Sequence, residues 1–243
     1  MRVGVNSRLL LKDRLEGIGY FTLKNLERLA KNHPDCEFVL FFDRPYDRDF
    51  VFANNVKPIV IPLPTRHPML WHIYFEILLP IYIRLYKIDV FFSPEGYIPT
   101  RVKTPKLCTI HDINFEHEKT YIGNKVYQRY MEYFTPRFAK SASAVLTVSE
   151  FSKQDIATTY KIDENKIFNV ESSANEDYIT YSEKENEITR ERYSNSCPYF
   201  YFVGSLQKRK NLTNLFRAFD LFKDKTQSNV KLVIVGSKKW WKG

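Results

Sequence analysis

Cysteine, acidic charge and long apolar runs are all in short supply in this chain. The three cysteines, Cys36, Cys108 and Cys197, are far apart and odd in number. They show neither metal-ligand spacing nor a CxxC pair, so a disulfide framework and a zinc module are excluded. No secretory leader precedes the strand-like Arg2-Val3-Gly4-Val5, and a reducing, cytoplasmic setting is expected. The longest apolar stretch, Trp71 to Tyr86, is broken by His72, Glu76, Pro80 and Arg84. It is shorter than the roughly 20 residues that a bilayer span needs. It reads as a buried or an interfacial helix, the interfacial option resting on its aromatics and on the flanking Arg84 and Lys87. A GxSxG elbow, a Walker A loop, an RNA-recognition motif, a zinc finger, a short tandem repeat and a low-complexity tract are also missing.

The acidic deficit leaves a formal charge of +9, from 37 Lys and Arg against 28 Asp and Glu. Such an excess favours nucleotide phosphates, nucleic acid or acidic lipid headgroups. A lysine-rich composition with no specific partner gives the same sum. What is present is a chain of 243 residues, 44% hydrophobic, long enough for one large or two ordinary domains with a real core.

Strand and helix patterns alternate along it. MRVGV, EFVLFF (37–42), 57–62, DVFFS (89–93), KLCTI (106–110), AVLTV (144–148) and 167–171 read as strands. Helices are expected at 20–31, from Trp71 onward, at 127–139, and from a Ser149 cap to about Tyr160. That order implies an α/β domain over 1–172, with a parallel sheet covered by helices on both faces. Residues 173–198 are polar and read as an interdomain connection carrying a short helix. A second α/β unit opens at 199, with strands at 199–203 and 230–235 around a helix after Asn211, which reads as its N-cap. One strand–helix–strand unit cannot bury both faces of its sheet, so this second domain is expected to be incomplete here and to continue beyond residue 243. The Trp240-Trp241 end fits a truncation point.

Several places can carry chemistry. Lys208, Arg209 and Lys210 crowd the turn between a strand and a helix start, where free backbone N–H groups and the helix dipole favour an anion; a basic surface turn is the alternative. The Gly17-Ile18-Gly19 loop allows close backbone approach to a phosphate, or is simply a tight turn. His111 and Asp112 follow the C-terminal end of a strand, where open α/β sheets bind ligands. There a histidine can donate to a sugar hydroxyl or a developing charge, with the carboxylate orienting it or binding hydroxyls; a capping pair is the plain alternative. Ser149 and Glu150 open a helix, and capping and the helix dipole explain them without a ligand.

Taken in order, EGIGYFTLKNL, WHIYFEILLP, DVFFSPEG, TIHDINF, AVLTVSEFSKQDI, YFVGSLQKRKNLTNLFRAF and LVIVGSKKW cover nearly the whole chain. Together they resemble the retaining nucleotide-sugar glycosyltransferases of GT-B fold, the group 1 or family 4 class, in its mannosyltransferase-like branch. The resemblance implies two facing Rossmann-like domains, the acceptor mainly on the first and the sugar nucleotide mainly on the second. Carried over by position, His111, Asp112 and Glu150 are catalytic candidates, and Gly17, Gly19, Ser205, Arg209 and Lys210 donor-diphosphate candidates. It also implies no metal and no cofactor, a hexose donor such as GDP-mannose, a glycan or lipid-linked acceptor, retention through front-face attack, and no nucleic-acid partner. A peripheral contact with anionic membrane at its inner face is a further expectation.

This chain departs from the resemblance in three places. Lys208 stands where close relatives often have proline, Ser205 replaces a further phosphate arginine of distant members, and 172–176 replace an Asn-Gly-Val turn. Two other classes fit part of the sequence: a truncated remnant that at most binds an acceptor or partner, and a basic protein for nucleic acid or a membrane surface.

Overall fold

The computed structural model describes residues 1–12, 14–65, 67–118, 125–173 and 178–236. The chain forms two compact units, Met1–Ser172 and Ser173–Gly243. Trp240 and Trp241, and most of the 172–176 turn, lie outside the described residues.

The first unit is built on a seven-stranded parallel sheet: β1 (Arg2–Asn6), β2 (Glu37–Phe42), β3 (Val56–Val60), β4 (Val90–Ser93), β5 (Lys106–Thr109), β6 (Ala144–Thr147) and β7 (Ile167–Asn169). Their order is β3-β2-β1-β4-β5-β6-β7, so the chain runs outward in one direction from β1 and then reverses from β4. Every strand needs a crossover to its parallel neighbour, and helices supply most of them. They are α1 (Gly17–Asn32), α2 (Pro68–Ile73), α3 (Leu79–Leu85), α4 (Asn114–His117), α5 (Lys125–Ser141) and α6 (Glu150–Tyr160).

The run EFVLFF shows why the sheet is covered on both sides. Phe38, Leu40 and Phe42 pack with Val5, Leu26, Ala30 and Phe92 in one apolar cluster. The alternate residues Val39 and Phe41 join Tyr74, Phe75, Leu79, Ile83, Phe91, Val145 and Phe138 in the other. Consecutive strand side chains point to opposite faces, so an unbroken apolar strand needs a core on each.

The helix expected from Trp71 begins earlier, at Pro68, because the His67 ring accepts the Met69 N–H (3.3 Å) and caps it. Between α2 and α3 the chain makes a π turn, Tyr74–Leu78, which widens the spiral and lets the adjacent Tyr74 and Phe75 both reach the core. The Ser149 cap is present, its hydroxyl accepting the Ser152 N–H at 3.1 Å.

The second unit contains α7 (Glu183–Ser194), β8 (Tyr199–Val203), α8 (Leu212–Thr226) and β9 (Lys231–Val235), with β8 and β9 a parallel pair. Helix α7 falls within the polar 173–198 stretch; a reciprocal Ser182–Glu185 capping box starts it. Asn211 occupies the position before α8 but does not cap it: its backbone is left-handed (φ 55°) and its side chain bonds none of the first-turn N–H groups. A single 3₁₀ turn, Lys208–Lys210, precedes it and tilts the entry. The strand ends abut. Gly204 has φ 155°, and a Cβ on Gly236 would lie 2.0 Å from the Gly204 carbonyl oxygen and 3.2 Å from Leu206.

Phe41 is fully buried between sheet and helices. Phe41→Ala is expected to lower unfolding free energy by about 3–5 kcal/mol, read from the urea midpoint. A loss under 1 kcal/mol, on the order of a surface change, would contradict this packing.

Candidate functional site

Three neighbouring strands, β1, β4 and β5, end on the same edge of the sheet, and the chain continues from each into a polar segment. After β1 come Ser7 and Arg8; after β4, Pro94, Glu95 and Gly96; after β5, Ile110, His111 and Asp112. The strand order reverses between β1 and β4, which is where open parallel sheets leave a crevice. A cavity of about 390 Å³ lies there. Its walls include Arg8, Trp71, Glu95, Tyr97, His111 and Asp112, with Ile18 from the start of α1 and Tyr127 and Met131 from α5.

A buried ion pair anchors these walls. Arg8 Nε lies 2.5 Å from Glu95 Oε1, and both side chains are nearly inaccessible. Asn6 Nδ2 donates to the same carboxylate oxygen at 2.6 Å and to Ser93 Oγ at 3.0 Å. Arg8 Nη1 donates to Thr65 Oγ1 (3.2 Å). The Thr65 hydroxyl in turn donates to Asp43, whose other oxygen takes Arg44 Nε at 2.6 Å. The Arg8 guanidinium lies 4.6 Å from the Tyr97 ring centre and 5.3 Å from that of Trp71. Burial alone would lower the Arg8 pKa; the charge and hydrogen bond of Glu95 outweigh it and hold the guanidinium above its ordinary range. The Arg8–Glu95 pair is therefore fixed and, taken together, neutral.

His111 is held differently. Its Nε2 lies 2.9 Å from the Pro94 carbonyl oxygen, which can only accept, so Nε2 carries the proton. Phe21 meets the ring edge-on at 5.0 Å. Burial pushes its pKa below the ordinary histidine value, against the smaller pull of the Pro94 bond and of Asp112. The ring is neutral at pH 7, and its donor is already engaged. The expectation of a donating histidine is thereby corrected: what this imidazole offers a ligand is the Nδ1 acceptor. Asp112 Oδ1 accepts the Asn114 N–H (3.2 Å), closing a turn into α4 at the cavity rim. Thr109 is fully buried in the wall, and its hydroxyl has no hydrogen-bond partner among the described residues.

Glu150 is not among the cavity walls. It opens α6, after β6, and accepts a 3.0 Å bond from Asn169 Nδ2. The two glycines part company. A Cβ on Gly19 would press on Leu15 (2.9 Å) and the Leu9 carbonyl oxygen (3.1 Å), so its bareness serves packing; around Gly17 there is open space. In the second unit Lys208, Arg209 and Lys210 are exposed; among the described residues their one side-chain bond is Arg209 Nε to Gln207 Oε1 at 3.4 Å. Ser205 lies just before that turn, its carbonyl accepting the Gln207 N–H. Among the described residues no three His, Cys, Asp or Glu side chains converge on a metal position.

Sequence reasoning passed over Arg8, Glu95, Asn6 and Trp71, and gave Thr109, at the head of the His111 segment, no role. The rule that singled out His111, a polar residue just past a buried strand, applies equally to Arg8 after β1 and Glu95 after β4.

A parallel sheet whose strand order reverses between β1 and β4, followed by a second strand–helix–strand unit, is the layout of GT-B proteins, and solved structures bear this out at the level of fold. Anabaena Alr3699/HepE, solved in complex with UDP and glucose, superposes with a TM-score of 0.64 at 12% identity, over 96% of this chain and 60% of that one. The lipopolysaccharide outer core galactosyltransferase WaaB, in its apo form, gives 0.54 at 14% identity, over 98% and 62%. Residues 15–170 match the family described as Glycosyltransferase Family 4, and residues 183–242 match Glycosyl transferases group 1. The chain belongs to glycosyltransferase family 4. Among curated relatives, O-antigen chain mannosyltransferase B of Escherichia coli is 26% identical over 95% of this chain and 63% of its own length. O-antigen chain mannosyltransferase RfbU of Salmonella typhimurium is 29% identical over 65% and 40%. The chain thus spans less than two thirds of the length of either relative.

Two outcomes test the site. Arg8→Met strands the Glu95 carboxylate in the interior and is expected to cost about 3–5 kcal/mol in urea unfolding; adding Glu95→Gln should recover part of it. For His111 the sign is set by its lowered pKa. Below about pH 6.5 the unfolded chain takes up the proton more readily than the folded one, so stability falls as the pH drops from there towards the folded-state pKa. His111→Gln should flatten that part of the urea-midpoint profile, and an unchanged slope would show that the ring is not buried neutral.

Proposed function

We propose that this chain supplies the acceptor-side domain and the opening of the sugar-nucleotide domain of a retaining glycosyltransferase. It moves a hexose, mannose from GDP-mannose or a similar nucleotide sugar, to a glycan or lipid-linked acceptor in cell-surface polysaccharide synthesis. One observation carries the reading: similarity to an O-antigen chain mannosyltransferase runs through 95% of the chain.

The chemistry on the page supports it. As the glycosidic bond breaks, negative charge grows on the leaving diphosphate, and fixed cations stabilise that charge without proton bookkeeping. Arg209 and Lys210 are exposed with no acidic partner among the described residues, so they are free to take that role. Arg suits bidentate phosphate contacts and Lys acts as a point charge. Gly17, with open space around it, lets the backbone at the start of α1 approach a phosphate, and Gly19 holds that loop in place. Ser205 is close enough in sequence to Arg209 to add a hydroxyl.

In the first unit, the neutral His111 accepts from a sugar hydroxyl, Asp112 binds hydroxyls at the rim, and the Thr109 hydroxyl finds its partner in the ligand. Trp71 and Tyr127 give the apolar surfaces on which sugar rings pack. Glu150, at the start of α6, is the third catalytic candidate. Retention by front-face attack through an oxocarbenium-like state is what the likeness to retaining GT-B enzymes implies. The enzyme works at the inner face of the membrane, where a lipid-linked acceptor is presented.

The test uses a chain of the relatives' full length with labelled GDP-mannose and a membrane-extracted acceptor. Lys210→Ala and Arg209→Ala are each expected to lower transfer by roughly 10²–10³-fold, on the scale of losing one charge-stabilising group. Unchanged turnover in both variants sinks the diphosphate site; robust transfer from UDP-sugars alone sinks the mannose assignment.

A further inference from the structure

The helical run from Pro68 to Leu85 is apolar on two sides. Its inner side supplies Tyr74, Phe75, Leu79 and Ile83, all buried in the first unit's core. That leaves Met69 (69% exposed), Ile77 (52%), Ile81 (55%) and Leu85 (68%), which recur at whole-turn spacing along the outer side with Ile73 half-buried between them. Scattered exposed apolar residues need no explanation, but a continuous stripe of large ones does.

The charges around the stripe are mostly positive; at its far end the exposed Asp89 is engaged by the Arg2 N–H (2.7 Å). Glu76 is the only carboxylate in the run, and its oxygens are held by the Thr100 N–H (3.0 Å) and the Thr100 hydroxyl (2.8 Å). That contact also draws the following segment, with exposed Arg101 and Lys103, alongside the helix. At the far end stand Arg84 and Lys87, and Lys57 sits 5.5 Å above the Tyr86 ring. None of these five cations is in an ion pair among the described residues.

We propose that the outer face of this run, Met69 to Leu85 with its cationic border, is the surface by which the protein docks on an anionic lipid bilayer. The proposal rests on the reading of the chain as a transferase acting on a membrane-presented acceptor, and it identifies the face that does the presenting. A large apolar side flanked by Lys and Arg inserts at the headgroup boundary, the apolar side chains giving affinity and the cations the preference for acidic lipid. Nucleic acid would use the cations and leave the isoleucines wet. A second copy meeting this face would bring two like-charged borders together, at a cost in repulsion. The same run carries Trp71, which lines the cavity. The helix that rests on the bilayer is therefore also a wall of the site that a lipid-linked acceptor has to reach.

The experiment is sedimentation of the chain with vesicles of phosphatidylcholine alone and of phosphatidylcholine mixed with phosphatidylglycerol. Binding is expected to the mixed vesicles only, and to weaken with added salt. Ile77→Asp with Ile81→Asp should reduce it by roughly tenfold or more, since the inserted side chains become charged. Arg84→Gln with Lys87→Gln should reduce it by roughly fivefold for each cation removed. All four positions are exposed, and an unchanged urea midpoint checks that the fold is intact. Lack of binding to the mixed vesicles, equal binding to both kinds, or indifference to the isoleucine pair overturns the proposal. So does self-association in lipid-free buffer that the isoleucine pair abolishes, because the face then belongs to a second copy. Lys210→Ala must leave vesicle binding untouched while removing transfer, so a failure here and a failure of the transferase reading give different patterns.

Discussion

The Arg8–Glu95 pair is the constraint on which the first unit's site depends. It ties the segment after β1 to the segment after β4 at the point where the sheet's order reverses. Two charges withdrawn from water are tolerated because each is hydrogen-bonded beyond the pair: Glu95 by Asn6, and Arg8 by Thr65. Through Thr65 and Asp43 the tie extends to the end of β2. Three strand ends are thus held in register by polar contacts, while the apolar clusters hold the sheet's two faces. A wall built this way is stiff, so a ligand in the cavity meets groups that need no rearrangement.

His111 shows the same economy at shorter range. A carbonyl from the β4 segment takes its only proton, and burial keeps the second from binding. The ring is left with one function, accepting. Thr109, the last residue of β5 and two before His111, has a buried hydroxyl with no partner among the described residues.

Much of this was legible in the residues. The first unit's sheet follows from alternating strand and helix patterns, and EFVLFF announced a strand buried on both faces. Boundaries failed where side chains or tertiary contacts decide them. A histidine cap starts the run at Pro68, three residues before the expected Trp71, and β7 stops at Asn169, two residues short of the expected Glu171. Asn211 sat where a cap belongs, yet the 3₁₀ turn ahead of it forces a left-handed backbone that turns its side chain away. At the site, His111 and Asp112 were visible because they adjoin a strand end. Arg8 and Glu95 were not, because their importance is pairwise: they are far apart in sequence, and nothing local marks one as the other's partner. Gly19 was read for a ligand when its neighbour is Leu15, a contact no motif encodes.

The touching strand ends of the second unit carry a consequence of another kind. Gly236 leaves no room for a methyl group against the carbonyl of Gly204, and Leu206 closes over the same spot just ahead of Lys208, Arg209 and Lys210. The aim of those cations is thus set from underneath, by main-chain contact, rather than by anything they grip. Evolution can therefore shift the turn that carries these three cations by enlarging a residue that lies beneath it.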